Sequence, residues 1–368
     1  MKNIFLATLL FTLPALGQPV VSPEVHSDGS VTFRLAAPKA TEVWLHCEGG
    51  GDAAMQKDDH GVWMSTTPPL QPDIYSYSFY VNGVHLTDPA NPAIKYNLLN
   101  TDSQVEVPGT KSLPWALNDV PHGVLHHHFY HSAVADDDRD FIVYTPPGYD
   151  PTSHRRYPVL YLLHGYSDDT SAWSTAGRAN VILDNLIARG QAKPMIIVMP
   201  LGYGTMQIVK AGWSRVGDPN LWQHNVEKFG DALLGEVMPQ VEKTYRVSKD
   251  RESRAIAGLS MGGTESLVVG LTHLDRFAWV GAFSSGGLNT NYVAQFPALN
   301  AKANDQLRLL WISCGAQDQL LGSNQQFCDW LKSQGVRFSW TEPQGQHSFR
   351  VWRNNLADFA PLLFQDKK

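Results

Sequence analysis

The chain has 368 residues, 43% of them hydrophobic and 17% charged, an ordinary globular composition with enough apolar content for sizeable cores. Its formal net charge is -6, with no long run of either sign, so electrostatics give it no reason to seek nucleic acid or an anionic membrane. The three cysteines, Cys47, Cys314 and Cys328, leave at least one without an intrachain partner. Cys314 and Cys328 are close enough in sequence to pair, or to be separate small buried residues. No Cys/His spacing has the form of a zinc site.

Lys2 gives a positive start, an apolar run follows over 4–16, and Ala15 and Gly17 supply small residues for cleavage. That is the layout of a secretory signal peptide over residues 1–17, with Gln18 as the first mature residue and a secreted or periplasmic location expected. No other stretch is long and apolar enough to span a bilayer.

Residues 18–107 carry only β signals. Alternation runs over 31–35, 42–46 and 75–81, with Asp28-Gly29, Gly49-Gly50-Gly51, His60-Gly61 and Asn82-Gly83 between. Short alternating runs punctuated by turns predict a small immunoglobulin-like β-sandwich. Its aromatic residues Trp44, Trp63, Tyr75 and Tyr77 are candidates for stacking on sugars, although alternation puts several in the core. Residues 108–122 are rich in Pro and Gly without periodicity and read as a stiff linker, one that packs on the body.

From residue 123 to 368, apolar strands alternate with amphipathic helices. Strands are expected at 139–144, 159–163, 195–199, 254–259, 279–283, 307–313 and 336–341, and helices at 180–189, 226–245 and 264–272. Such a pattern gives a mostly parallel sheet with helices on both faces. The three consecutive histidines His126, His127 and His128 would alternate faces on a strand, so they cannot all ligate one ion.

One constellation carries chemistry. Gly258-Leu259-Ser260-Met261-Gly262 fits a nucleophile elbow, where a strained strand-to-helix turn excludes side chains on either side of the serine. The apolar strand before it and the helix after it supply the required context. In that architecture the acid and then the base follow the serine in the chain. Asp318, three residues past the strand-like run ending at Gly315, is the expected acid, with Asp305 and Asp329 as competitors. His347 is the expected base and the only histidine after Asp318. Two backbone N–H groups, of Met261 and of Tyr166 in the His164-Gly165-Tyr166 loop, are the expected oxyanion donors. His164 itself reads as a brace for that loop. Trp173, Trp213, Leu320 and Phe349 lie near these residues in chain order and are candidate substrate-binding walls, with core packing as the alternative for each.

Residues 159–173, 180–200, 254–263, 314–321 and 345–352 resemble carbohydrate esterase family 1, which holds feruloyl and acetylxylan esterases and is related to enterochelin esterases. Residues 29–38, 43–45, 75–79 and 88–92 resemble carbohydrate-binding module family 48. The resemblance implies an α/β-hydrolase esterase with the triad Ser260, Asp318 and His347 and no metal or organic cofactor. It implies a feruloyl esterase that releases hydroxycinnamates from arabinoxylan. An acetylxylan esterase or broad carboxylesterase, an enterochelin-type siderophore esterase and a catalytically silent sugar-binding protein are the alternatives.

Overall fold

The computed structural model describes residues 20–110 and 112–365, so the expected signal peptide over 1–17 lies outside the described residues. Among the described residues, ten strands precede residue 108: β1 (Glu24–Val25), β2 (Val31–Ala36), β3 (Val43–Cys47), β4 (Gly51–Ala54), β5 (Gln56–Lys57), β6 (Val62–Thr66), β7 (Asp73–Val81), β8 (Val84–Leu86), β9 (Ile94–Lys95) and β10 (Asp102–Val107). They form a four-stranded sheet, β1-β2-β6-β5, and a six-stranded sheet, β4-β3-β7-β10-β9 with β8 on β7. The alternation in the sequence decides what the sheets enclose. Val43, Leu45 and Cys47 point inward, while Trp44 and His46 face water. Trp63, Tyr75 and Tyr77 join Phe33, Phe79 and Val105 in the core between the sheets, leaving Trp44 as the exposed ring of the four aromatic candidates. Asn82 and Gly83 both have positive φ, as the two-residue hairpin between β7 and β8 requires.

The second body is one eight-stranded sheet. Its strands are β11 (Val124–Ser132), β12 (Asp137–Thr145), β13 (Val159–Leu163), β14 (Ile196–Pro200), β15 (Arg254–Leu259), β16 (Trp279–Phe283), β17 (Leu309–Ser313) and β18 (Ser339–Thr341). Their order is β11-β12-β14-β13-β15-β16-β17-β18, parallel from β14 onward. The helices are α1 (Ala179–Ala188), α2 (Gln207–Lys210), α3 (Pro219–Ala232), α4 (Met238–Thr244), α5 (Met261–Thr272), α6 (Tyr292–Gln295), α7 (Leu321–Ser333) and α8 (Phe349–Phe359). Two apolar clusters, one on each face, bury strands β13 to β16 completely. This is the α/β-hydrolase architecture, preceded by a β-sandwich.

Two of the expected elements change most. The helix expected at 226–245 begins earlier, at Pro219, because Asp218 caps it by accepting from the Asn220 and Leu221 N–H groups, and it passes through a π-helical stretch at Leu233–Val237. The strand expected at 336–341 is shortened. Gly335, at φ 70, closes α7 by donating to Lys332 O while Val336 donates to Leu331 O, which keeps those residues in the helix cap. Cys314 and Cys328 are separate buried thiols, and burial pushes each up to about 12. The run of histidines lies on edge strand β11 with separate partners, Thr145, Asp140 and Tyr245 for His126, His127 and His128 in turn.

The two bodies are joined by polar contacts. Arg353 on α8 is completely buried and donates to Asp73 Oδ1 (2.7 Å), Ile74 O (2.7 Å) and Ala176 O (2.6 Å). Its guanidinium lies 5.5 Å from the ring of Trp115, a buried residue of segment 108–122. Asn185 fixes the same segment by donating to Pro114 O and Ala116 O, each at 2.8 Å. A buried pair stripped of one partner leaves an uncompensated charge, whereas a partly exposed pair contributes little. Arg353→Leu is therefore expected to lower unfolding free energy by about 3–5 kcal/mol. Arg178→Ala, which breaks the partly exposed pair with Glu106, should cost less than about 1 kcal/mol. Urea unfolding of the two variants measures the contrast.

Candidate active site

Strand β15 ends in a turn that only a few side chains fit. Ser260 sits there at φ 51, ψ -115, between the strand and α5. A Cβ on Gly258 would meet Gly262 O at 2.4 Å, and one on Gly262 would meet His164 O at 2.5 Å. The two glycines are thus required by the close approach of the turn to itself and to the β13 loop. Gly286 approaches from the loop after β16, where an added Cβ would lie 3.3 Å from Ser260 Oγ and 3.2 Å from Leu320 Cδ1.

The loops after β17 and β18 bring the other two groups to the serine. His347 Nε2 is 3.0 Å from Ser260 Oγ, and His347 Nδ1 is 2.8 Å from Asp318 Oδ2. With Nδ1–H donating to the carboxylate, Nε2 is left to accept the serine hydroxyl proton. Asp318 is buried, which pushes its carboxyl up. The hydrogen bond and charge of His347 and the Leu320 N–H outweigh that and hold it below the ordinary carboxylate value. Trp352 stands edge-on to the His347 ring at 4.9 Å and is anchored by its Nε1–H on Ser284 Oγ. The competitor Asp329 is exposed and pairs with Lys332. Asp305 ends a short helical turn before β17.

The two expected oxyanion donors lie beside this relay. Met261 is the first residue of α5, so its N–H has no intrahelical acceptor and sits at the positive end of the helix. Tyr166 follows Gly165, where a Cβ would lie 3.3 Å from Ser260 Cβ, and its N–H has no protein acceptor among the described residues. His164 braces the loop, as expected: Nδ1–H donates to Gly165 O and Nε2 accepts from Gly202 N–H, and burial keeps its pKa low.

The four wall candidates divide evenly. Leu320 flanks the nucleophile across Gly286, and Trp213 is exposed with its ring edge-on to Tyr166 at 4.9 Å. Trp173 and Phe349 are core residues. Trp173 is buried, donates from Nε1 to Leu163 O and packs against Phe283 and Phe349. Phe349 starts α8 with its ring turned inward onto Trp173 and Trp352.

A cavity of about 310 Å³ is lined by Val216, Trp222, Val226, Thr264, Gly287 and Leu288 among others, and by no residue of the relay itself. Thr264 Oγ1 donates to Gly286 O, which ties this wall to the loop touching Ser260. Trp222, absent from the sequence expectations, is buried, and its Nε1 has no hydrogen-bond partner among the described residues. The sequence signal was Gly286-Gly287 after an apolar strand: a Cβ on Gly287 would strike the Trp222 ring at 2.2 Å.

A second group was also missed. Glu265 on α5 is fully buried against Asn225, whose Nδ2 donates to it at 3.2 Å. Burial pushes its carboxyl well above the ordinary value, with the Asn225 bond and the Arg139 charge opposing.

A model of the putative esterase family matches residues 132–366. The chain belongs to the putative esterase family. The chain is 30% identical, over 351 residues and 93% of its own length, to an endo-1,4-beta-xylanase/feruloyl esterase of Xylanibacter ruminicola. It spans only 46% of that relative's length. Among solved structures, a ferulic acid esterase matches at 26% identity with a TM-score of 0.56, covering 66% of this chain and 99% of its own. An enterobactin esterase of Shigella flexneri matches in fold, with a TM-score of 0.65 at 21% identity over 90% of this chain and 92% of its own.

Two outcomes follow from the titrating groups. Asp318→Asn, which leaves His347 without its orienting carboxylate, should lower kcat about ten-thousand-fold in steady-state ester hydrolysis. For Glu265 the folded-state pKa is raised, so its stabilising effect is complete below the unfolded value near 4.3 and is lost as pH rises toward the folded value. Glu265→Gln does not titrate. Its stability relative to the parent should therefore increase as pH rises above about 4.3 toward the folded-state value, as read by thermal unfolding.

Proposed function

We propose that the chain is a serine carboxylic ester hydrolase that releases hydroxycinnamate from esterified plant cell-wall polysaccharide. The observation carrying the hydrolase reading is the continuous relay from Asp318 through His347 to Ser260 Oγ. His347 takes the Ser260 proton as Oγ attacks the ester carbonyl. The tetrahedral oxyanion is held by the N–H groups of Met261 and Tyr166, and Asp318 stabilises the imidazolium. His347 then protonates the departing alcohol, leaving an acyl-serine. A water deprotonated by His347 attacks that acyl group and releases the acid, and the proton returns to Ser260. Roles of this kind explain why Ser260 stays partly exposed while Asp318 is buried.

The acyl group is proposed from the cavity that Gly287 and Thr264 line, linked to the serine through Gly286. Trp222, Val216, Val226 and Leu288 offer flat apolar walls for a phenolic ring, and Gln223, Asn289 and Glu227 offer polar groups for its substituents. The relative from Xylanibacter ruminicola, named for xylanase and feruloyl esterase activities, supports this choice. So does the resemblance of the front sandwich to a carbohydrate-binding module, with Trp44 exposed for stacking, and so does the proposed secretion signal over 1–17. Glu227 is the single charged residue lining the cavity, which disfavours a polyanionic iron–siderophore complex.

Hydrolysis of methyl ferulate, acetylated xylan and enterobactin side by side tests the reading. Methyl ferulate is expected to be the preferred ester, and Ser260→Ala should lower its turnover by about a million-fold. Wild-type rates in that variant would reject the nucleophile. Trp222→Ala should lower kcat/KM for methyl ferulate at least about tenfold more than for p-nitrophenyl acetate, whose acyl group does not reach the wall. Equal losses on the two esters would assign Trp222 to packing alone.

A further inference from the structure

The loop after β9 reaches across from the front sandwich to the segment that carries one of the oxyanion donors. Leu98 N–H donates to Ser167 O at 2.7 Å. Asn97 Nδ2 donates to Ser167 Oγ at 2.9 Å and to Asp168 Oδ1 at 3.2 Å. Leu99 packs against the apolar cluster that contains both Tyr166 and Met261. Ser167 directly follows Tyr166 and holds φ 68, a left-handed conformation that a serine adopts only when its surroundings impose it.

The loop is built to make these contacts. Asn97 Oδ1 accepts from the Leu99 and Asn100 N–H groups, and Thr101 Oγ1 donates to Asn97 O. The amide nitrogen is thereby turned outward toward Ser167 and Asp168. Asp168 is a buried carboxylate whose side-chain partners, Asn97 and Lys95 (3.9 Å), both come from the front sandwich. The inner side of the same loop is held separately. Tyr203 OH donates to Asp168 O at 2.9 Å, and His164 donates to Gly165 O. The esterase body thus fixes the ends of the turn, and the sandwich fixes Ser167 and the Asp168 side chain.

We propose that Asn97 is a positioning residue for ester cleavage: through Ser167 and Asp168, the front sandwich sets the direction of the Tyr166 N–H toward the developing oxyanion. The proposal rests on the serine esterase reading. Donors in an oxyanion site act through placement before reaction, and an error of about 1 Å in such a site costs on the order of a hundredfold in rate. A contact that serves only to glue the bodies together would lower stability and leave transition-state binding alone.

The experiment uses the full chain and p-nitrophenyl acetate as a small general ester. Asn97→Ala is expected to lower kcat about ten- to hundredfold with KM within about twofold. Affinity for a trifluoromethyl ketone, which adds to Ser260 and places an oxyanion in the site, should fall by the same factor as kcat/KM. Hydrogen exchange should rise over 164–170 and stay unchanged in β15 and α5. Asn97→Asp alone sets two carboxylates against each other and should be worse than Asn97→Ala. Combining it with Asp168→Asn restores one donor and one acceptor, and should recover most of kcat and ketone affinity. Ser167→Ala, which removes one hydroxyl, gives a milder loss in the same direction and keeps the test decisive should Asn97→Ala fail to fold.

An Asn97→Ala enzyme with kcat and ketone affinity within twofold of the parent overturns the proposal. So does a kcat loss without loss of ketone affinity. Wild-type protein that hydrolyses no ester overturns the esterase reading instead, and hydrogen exchange over 164–170 then decides whether Asn97 holds the loop.

Discussion

A guanidinium with no access to water has to find its partners inside the protein, and Arg353 finds them on both bodies. Its charge is balanced by Asp73 at the start of β7, and two carbonyls take further donors. Arg350, one turn earlier on α8, reaches the other oxygen of Asp73 and lies over the Tyr75 ring. Helix α8 begins two residues after His347, and Trp352 on it stands against the His347 ring. The base of the relay therefore directly precedes, and is packed against, a helix that is ionically fixed to the front sandwich. A shift between the bodies would be felt at the imidazole, because the chain between the two contacts is a single rigid helix.

The same economy governs the rest of the site. Ser260, Asp318, His347 and Tyr166 all follow the carboxyl ends of strands in one sheet, β15, β17, β18 and β13. The ends of the fully buried strands β13 and β15 hardly move, so short loops suffice to hold atoms at hydrogen-bond distance. Side-chain chemistry is kept to three residues, while backbone N–H groups and a helix end supply the positive potential.

What the sequence revealed follows from how local each constraint is. The serine turn was legible because its glycines are required by contacts within five residues and the β13 loop. The acid and base were legible because the order of strands forces their place in the chain. Alternation put several of the four sandwich aromatics in the core without saying which, and Trp63, Tyr75 and Tyr77 are the ones found there. The substrate walls were less legible. Trp173 and Trp222 have the same side chain, and only distant packing decides that one donates to Leu163 O in the core while the other borders the cavity. Phe349 takes the core-packing role that stood as its alternative, and the register of α8 against Trp173 that decides this is not written near it. The pairing of Asp73 with Arg353 spans 280 positions and has no pattern at either end. The Asn97 loop looked like ordinary turn chemistry, and its meaning came only from what lies opposite.

The backbone at Ser260 also bears on which nucleophiles this scaffold admits. At φ 51 and ψ -115 a residue already carries the steric load of its Cβ near the next carbonyl. A second heavy atom on that Cβ, as in threonine, adds to that load in a region of positive φ that β-branched residues rarely adopt. Cysteine has one heavy atom there, as serine does, so the turn accepts it sterically. In evolutionary terms the fold leaves one door open at this position, from an alcohol to a thiol, and closes the shorter chemical step from a primary to a secondary alcohol.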